Sequence, residues 1–297
     1  MIENLGNQDK VRCYFAAVHA PDWLDLKVPE WDAVAECGIA GVDIRIANPR
    51  SGPSSHERKL AKLVQASGLE VRVHGWVGRS DAEGFAVANH RSGLADGEVM
   101  GAAGAELGAT FVGMNAEKAV WRWRGGKANP HADDFYRGFH EGSLKAYPTG
   151  RLQDVGFADP REHYDPKADL DVDGVPDALI TRETAELFDR RGVMAYQSSA
   201  VTVQRKLARG RAIAGPALPI SWWGGVGRPS PAEGVVGNYS VTLKGCRERW
   251  SGIDEWVGYV GFTERGQKLP TIKMLKAGHD THPPLVQLVR AICGKVT

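Results

Sequence analysis

Short apolar runs with the alternation of a β-strand recur along the whole chain. Alternation of apolar and polar residues with period two indicates strands, whereas apolar residues three or four positions apart indicate helices. Eight runs have the strand pattern, and segments with helical character separate most of them. The predicted strands cover residues 11–20, 41–48, 69–78, 109–117, 152–159, 192–200, 216–224 and 255–264, and the predicted helices cover 53–67, 81–107, 131–145, 181–191, 201–214 and 281–293.

The alternation of strands with helices predicts parallel βαβ units. Eight such units in 297 residues fit a closed (β/α)8 barrel of class α/β. A doubly wound open sheet is the alternative, but its first strand should lead into a glycine-rich phosphate loop, and AAVHAPDW, from Ala16, contains none. Because no linker, low-complexity tract or repeat of fixed period interrupts the chain, we predict one domain over residues 1–297.

The composition restricts the classes of partner. Lys and Arg total 37 against 36 for Asp and Glu, so the charge gives no reason to expect nucleic acid or an anionic membrane as a partner. The N-terminal segment lacks the apolar core of a signal peptide, and no apolar run approaches the roughly 18 residues that span a bilayer. We therefore expect synthesis in the cytoplasm, with lysis or a virion giving access to any cell-wall substrate.

The cysteines are scattered without a CxxC pair, which predicts reduced thiols and no zinc site; they are Cys13, Cys37, Cys246 and Cys293.

The fourth predicted strand carries the clearest candidate chemistry. In a barrel, functional groups gather at the carboxyl-terminal ends of the strands and in the loops that follow. This strand is mostly apolar, yet Asn115 and Glu117 end it on one face. A second carboxylate would come from another strand end, with Glu264 preferred over Asp159. On the second predicted strand, Asp43 and Arg45 fit an internal ion pair, and on the third predicted strand His74 fits a buried core histidine.

Tryptophan is abundant near the predicted strand ends. Indole rings stack on the apolar faces of sugars, and paired carboxyl groups serve cleavage of a glycosidic bond. Core packing is an equally acceptable interpretation for any one of these rings. We predict a polysaccharide or other glycan as the ligand and expect at least one of Trp222 and Trp223 to be partly exposed. The tryptophans on strand ends or in the following loops are Trp76, Trp121, Trp123, Trp222 and Trp223.

Two strand ends resemble those of known glycoside hydrolases. The segment GMNAE, which ends in Glu117, resembles the DxDxE of family 18 chitinases and the DxE of family 25 lysozymes, and VMAYQ resembles the chitinase MxYD through Met194 and Tyr196. The resemblance implies that Glu117 is the general acid and that Tyr196 holds an acetamido group. Asn115 stands where these families have Asp, and an amide cannot carry negative charge opposite an oxazolinium-like intermediate. The protein would therefore either use a two-carboxylate mechanism or bind a glycan without cleaving it.

An acidic loop indicates a metal site. Asp169, Asp171 and Asp173 occupy alternate positions before Gly174, and Asp177 follows, which matches the start of a calcium loop and resembles thrombospondin type 3 repeats. A true EF-hand is excluded, because Ile180 stands where its bidentate Glu would be. We predict a structural Ca²⁺, with a solvated acidic loop as the alternative, and no organic cofactor.

Three functions fit these residues. The preferred one is a glycoside hydrolase acting on an amino-sugar polymer such as peptidoglycan or chitin. The second is a catalytically silent glycan-binding or structural barrel, as in a phage tail or a similar protein assembly. The third is a metal-dependent sugar isomerase or hydrolase using His74, Glu117 and His163, although the chain has no HxH pair.

Overall fold

Eight parallel strands close into a barrel in the computed structural model. It describes residues 12–78, 81–83, 87–116, 131–157, 182–194, 207–208, 210–211, 218–225 and 254–259. Each strand pairs with the next along the chain, and β8 pairs with β1, which confirms the (β/α)8 barrel and excludes the open sheet. The strands are β1 (Arg12–Ala17), β2 (Ile39–Ile46), β3 (Glu70–Trp76), β4 (Phe111–Asn115), β5 (Arg151–Phe157), β6 (Arg190–Met194), β7 (Ile220–Gly225) and β8 (Glu255–Tyr259).

The helices follow the predicted positions with three differences. The helix predicted over 81–107 begins only at His90, because the Asn89 side chain caps it by accepting from the Ser92 backbone N–H at 3.1 Å. The helix predicted over 181–191 ends at Ala185, and the two helices between β1 and β2, over Ala20–Trp23 and Val28–Glu36, were not predicted. The described helices are α1 (Ala20–Trp23), α2 (Val28–Glu36), α3 (Ser55–Ala66), α4 (His90–Leu107), α5 (Ala132–Ala146) and α6 (Arg182–Ala185), with a 3-10 turn over Pro49–Ser51.

Local sequence explains where α3 begins and how it joins the barrel. Ser54 caps the helix by accepting from the Glu57 backbone N–H, and the Glu57 side chain returns to the Ser54 backbone. The second oxygen of Glu57 accepts from the Ala47 backbone N–H at 2.9 Å, just beyond β2. One carboxylate therefore ties the start of α3 to the carboxyl-terminal end of a strand. The predicted helices 201–214 and 281–293 lie largely or wholly outside the described residues.

Glycines let α4 and α5 pack backbone against backbone. A Cβ on Gly97 would lie 2.3 Å from the Phe139 carbonyl oxygen, and one on Gly142 would lie 2.1 Å from the Leu94 carbonyl oxygen. Real Cβ atoms do not approach so closely, so larger residues would force the helices apart. This contact holds the helices that flank β4. No helix within the described ranges combines the length and apolar character needed to cross a membrane.

The two faces of the strands form different environments. The outer faces pack against the helices in one large apolar core that includes Val42, Ile44 and Trp222. The inner faces form a small apolar cluster, and charged and polar side chains fill the rest of the barrel interior. Interiors of such barrels are usually filled by branched apolar residues, so this polar filling is the feature that requires an explanation.

Candidate active site

The mouth of the barrel, defined here by Arg45, Trp76 and Asn115 at the carboxyl-terminal ends of β2, β3 and β4, presents an aromatic ring beside an amide. Trp76 and Asn115 are direct neighbours in the pairing of β3 with β4. Trp76 is 48% exposed, whereas Asn115 is 2% exposed. The Arg45 guanidinium carbon lies 5.2 Å from the centre of the Trp76 ring, which is a cation–π contact. This surface offers an apolar platform with a guanidinium beside it, and the nearly buried Asn115 lies next to that platform.

The inner network, formed by Asp43, His74 and Gln153, lies inside the barrel behind the mouth. Nδ1 of His74 is 2.6 Å from Oδ1 of Asp43, and Nε2 of Gln153 donates to Oδ2 of the same carboxylate. Each of the three side chains is at most 2% exposed. The Trp223 ring meets the imidazole edge-on, with 5.3 Å between ring centres. Both carboxylate oxygens are therefore engaged, and the imidazole is held in one orientation.

Two inward-facing glycine positions make room for these large side chains. A Cβ on Gly113 of β4 would lie 2.9 Å from Cγ and 3.0 Å from Nε2 of Gln153. Gln153 of β5 can therefore reach past β4 to Asp43 on β2. In the same way, a Cβ on Gly192 would lie 2.7 Å from Nε1 of Trp223. The inner network depends on the absence of these two side chains.

The floor cluster, centred on Glu70, Arg72, Arg190 and Glu255, fills the amino-terminal end of the barrel. Arg72 binds Glu255 through two hydrogen bonds of 2.7 and 3.0 Å and binds Glu70 through a third of 3.0 Å. Nη1 of Arg190 lies 2.8 Å from Oε2 of Glu255, an ion pair without hydrogen-bond alignment. Ser221 also donates to Glu255 at 3.0 Å. This end of the barrel is closed by paired charges.

Burial and neighbouring charges shift the pKa values of the floor cluster. Burial, reinforced by repulsion from Arg72, lowers the pKa of Arg190 to about 10. Burial alone would raise the pKa of Glu70, but the Arg72 guanidinium and hydrogen bonds from Thr110 and Tyr14 outweigh it, so this pKa is lowered. The carboxylate form of Glu70 is therefore part of the folded structure.

The structure brings some predicted site residues together and separates others. Trp76 and Asn115 lie side by side at the mouth, as described above. Trp222 and Trp223 are each 1% exposed, so the expected partial exposure of at least one of them is not found. Successive residues of a strand point to opposite faces, so Trp222 packs outward against the helices and only Trp223 points inward.

Asp43 departs from its predicted ion pair with Arg45. Its carboxylate contacts His74 and Gln153, and Arg45 lies over Trp76 instead. His74 is buried, in agreement with its interpretation as a core histidine. Sequence reasoning did not anticipate Gln153, although a polar residue on the inward face of an apolar strand was the available signal.

Several predicted residues lie outside the described residues, so their roles stay predictions. Within the described ranges, no group of three or more His, Cys, Asp and Glu side chains is arranged to hold a metal ion. The residues outside are the catalytic candidates Glu117, Glu264 and Asp159, the substrate-binding candidate Tyr196, the tryptophans Trp121 and Trp123, the isomerase candidate His163, and the calcium candidates Asp169, Asp171, Asp173 and Asp177.

Comparison with known proteins identifies the fold class. No family model and no curated protein sequence matches this chain. A sugar phosphate isomerase/epimerase from Parabacteroides distasonis has 10% identity and a TM-score of 0.53, over 98% of this chain and 94% of that one. The endoglucanase Cel5A of Pseudomonas stutzeri also has 10% identity and a TM-score of 0.53, over 95% and 94%. At this identity the similarity establishes a (β/α)8 barrel and no activity.

A chitinase is also among the similar structures. The GH18 chitinase ChiB of Flavobacterium johnsoniae has 11% identity and a TM-score of 0.49, with 85% of this chain and 88% of that chain covered. A similarity at this level carries no argument about this chain. The resemblance to family 18 chitinases therefore rests on the two strand-end motifs alone.

Proposed function

We propose that this barrel is a glycoside hydrolase that acts on an amino-sugar polymer, such as peptidoglycan or chitin. The observation that carries the proposal is the exposed Trp76 ring directly beside Asn115 at the carboxyl-terminal end of the barrel. A sugar ring has an apolar face that stacks on indole and a polar edge that hydrogen-bonds an amide. Glycoside hydrolases and sugar isomerases are both found among the proteins that share this fold. The fold alone therefore does not separate the two activities, and the choice between them depends on the residues at the mouth.

Glu117 supplies the acid in this proposal. It follows Asn115 by two positions in the sequence, beyond the end of β4. As general acid it would protonate the leaving oxygen, while Glu264 or Asp159 acts as nucleophile or as base for water at about 5 to 10 Å from it. Tyr196 would bind the acetamido group. These assignments rest on the sequence motifs, as does the structural calcium site.

A glycan-binding barrel without catalysis is the second candidate. Asn115 favours it, because the related motifs have Asp at this place and an amide does not provide the same negative charge. Such a protein would bind the polymer through the same mouth and serve in a larger assembly, for example a phage tail. The two candidates share the ligand and differ in whether Glu117 transfers a proton.

The substitution Glu117→Gln separates the two candidates. It keeps the shape of the side chain but removes the transferable proton, so cleavage of peptidoglycan or chitin oligomers should fall about 10²- to 10⁴-fold while binding persists. Glu106→Gln is the matched control, because Glu106 is exposed near the end of α4 and pairs with Arg58. Cleavage by the variant at the wild-type rate removes Glu117 as the general acid, and binding without cleavage by the wild type removes the hydrolase assignment.

A further inference from the structure

We propose that His74 binds a hydroxyl group of the saccharide at the base of the mouth, with Asp43 and Gln153 fixing its ring for that purpose. The inference deepens the proposed function, because it takes its ligand class, a polyhydroxylated sugar ring, from it. It assigns a role to the inner network, which the catalytic scheme with Glu117 does not use.

The contact with Asp43 determines which nitrogen of His74 is available. A carboxylate can only accept hydrogen bonds, so the 2.6 Å contact places a hydrogen on Nδ1. In the neutral imidazole the other nitrogen, Nε2, then carries a lone pair and accepts. Gln153 donates to the second oxygen of Asp43, which keeps the carboxylate from turning away. The network therefore presents an acceptor of defined position.

The position of His74 fits a single ligand group that enters from the mouth. His74 precedes Trp76 by two residues on the same inward face of β3, which places it about 7 Å deeper along the strand. The opposite end of the barrel is closed by the Arg72–Glu255 pair. Because His74 is only 1% exposed, the proposal gives it one small group of the ligand, a hydroxyl, and not a whole ring.

The composition of the barrel interior gives a second, independent reason. A buried polar network costs desolvation, and well-packed apolar side chains would be at least as stable in its place. Here, by contrast, a carboxylate, an imidazole and an amide occupy the interior, and Gly113 and Gly192 leave room for the side chains around them. Such an arrangement stabilises the fold less than an apolar layer would, so we infer that its advantage lies in recognition.

Long-range ¹H–¹⁵N NMR of the imidazole tests the first part of the proposal. The His74 signals are identified by their loss in His74→Gln. We expect the Nδ1–H form in the free wild-type chain and its loss in Asp43→Asn. Asp154→Asn is the matched control, since Asp154 also accepts a hydrogen bond within the barrel wall, from Tyr136 of α5, but belongs to no part of the inner network. This control should leave the His74 signals unchanged.

Addition of tetra-N-acetylchitotetraose tests the second part. The Nε2 signal should shift, and His74→Gln should bind the oligomer about tenfold more weakly, as expected for one lost hydrogen bond, while Asp154→Asn binds normally. An Nε2–H form in the free chain, or an Nε2 signal that does not respond to the oligomer, overturns the inference.

Cleavage is not part of this readout. A shifted Nε2 signal with no cleavage by the wild type would keep the inference and reject the hydrolase, whereas a silent Nε2 with a wild type that cleaves and an inactive Glu117→Gln would do the opposite.

Discussion

Two polar networks share the interior of this barrel, and they are built from different groups. In the floor cluster, the Glu255 carboxylate lies between the guanidinium groups of Arg72 and Arg190. In the inner network, the Asp43 carboxylate meets an imidazole and an amide instead. Removing the shared carboxylate of the floor cluster leaves two buried guanidinium groups beside each other, whereas removing either His74 or Gln153 leaves Asp43 with the other as a hydrogen-bond partner. The floor cluster therefore has the composition of a buried ion-pair cluster, and the inner network has that of a hydrogen-bonded group, which is consistent with the recognition role proposed for it above.

Aromatic rings extend the difference between the two regions. The Arg72 guanidinium lies 3.5 Å from the centre of the Tyr14 ring, and Arg190 lies 4.4 Å from the centre of the Phe111 ring. These faces attract the cations and exclude water from them. In the inner network the rings of His74 and Trp223 meet nearly at right angles, with 5.3 Å between their centres. The aromatic rings thus stabilise buried cations in the floor cluster, whereas in the inner network the Trp223 ring helps to orient His74.

The largest expected effect is the loss of the Glu255 charge. Glu255→Gln leaves Arg72 and Arg190 buried beside each other without their shared carboxylate, so the free energy of unfolding should fall by about 3 to 5 kcal/mol. Urea denaturation measures it. Glu98→Gln is the control, because Glu98 pairs with Lys145 on the surface and such pairs contribute about 0 to 1 kcal/mol. Equal losses in the two variants would remove the distinction between the floor cluster and an ordinary surface pair.

A smaller effect is expected from filling the space beside Gln153. Gly113→Ala places a methyl group 2.8 Å from Cγ2 of Val155 and 2.9 Å from Cγ of Gln153, which should cost about 1 to 3 kcal/mol of stability and disturb the His74 imidazole signals. Adding Gln153→Ala should relieve part of the clash, so the two substitutions together should cost less than their sum. Strict additivity, with unchanged His74 signals, would show that Gly113 does not serve the inner network.

The smallest expected effect is the loss of the Glu70 charge, whose contribution to stability depends on pH. Because the pKa of Glu70 is lowered in the folded protein, its stabilising contribution is complete above the ordinary glutamate pKa of about 4.3 and is lost as the pH falls through the folded value. Glu70→Gln should therefore be less stable than the wild type at about pH 7, by about 1 kcal/mol on the scale of a partly exposed ion pair, and this difference should shrink at about pH 3. Unfolding curves at both pH values measure it. A difference that does not change with pH would contradict the role of the Glu70 charge in the floor cluster.

The strand ends at the mouth illustrate what could be predicted about the site from the sequence. Placement of Asn115 at the end of β4 and of Trp76 at the end of β3 followed from period-two alternation and from the rule that barrel chemistry lies at the carboxyl-terminal strand ends. The same alternation places Trp222 and Trp223 on opposite faces of β7, yet both were expected near the ligand. Helix α2 was missed because it is nine residues long and its sequence, VPEWDAVAE, gives a weak periodic signal.

The sequence by itself determined the number, type and order of the strands, because hydrophobic periodicity is a local property of the chain. It also determined that the barrel interior would be partly polar, since polar residues occupy the inward positions of β2, β3 and β5. The tertiary structure alone decided which of these residues meet. Arg72 and Glu255 are 183 positions apart, and Asp43 and Gln153 are 110 apart. Such pairs depend on strand register and on closure of the sheet between β1 and β8, which no local pattern encodes.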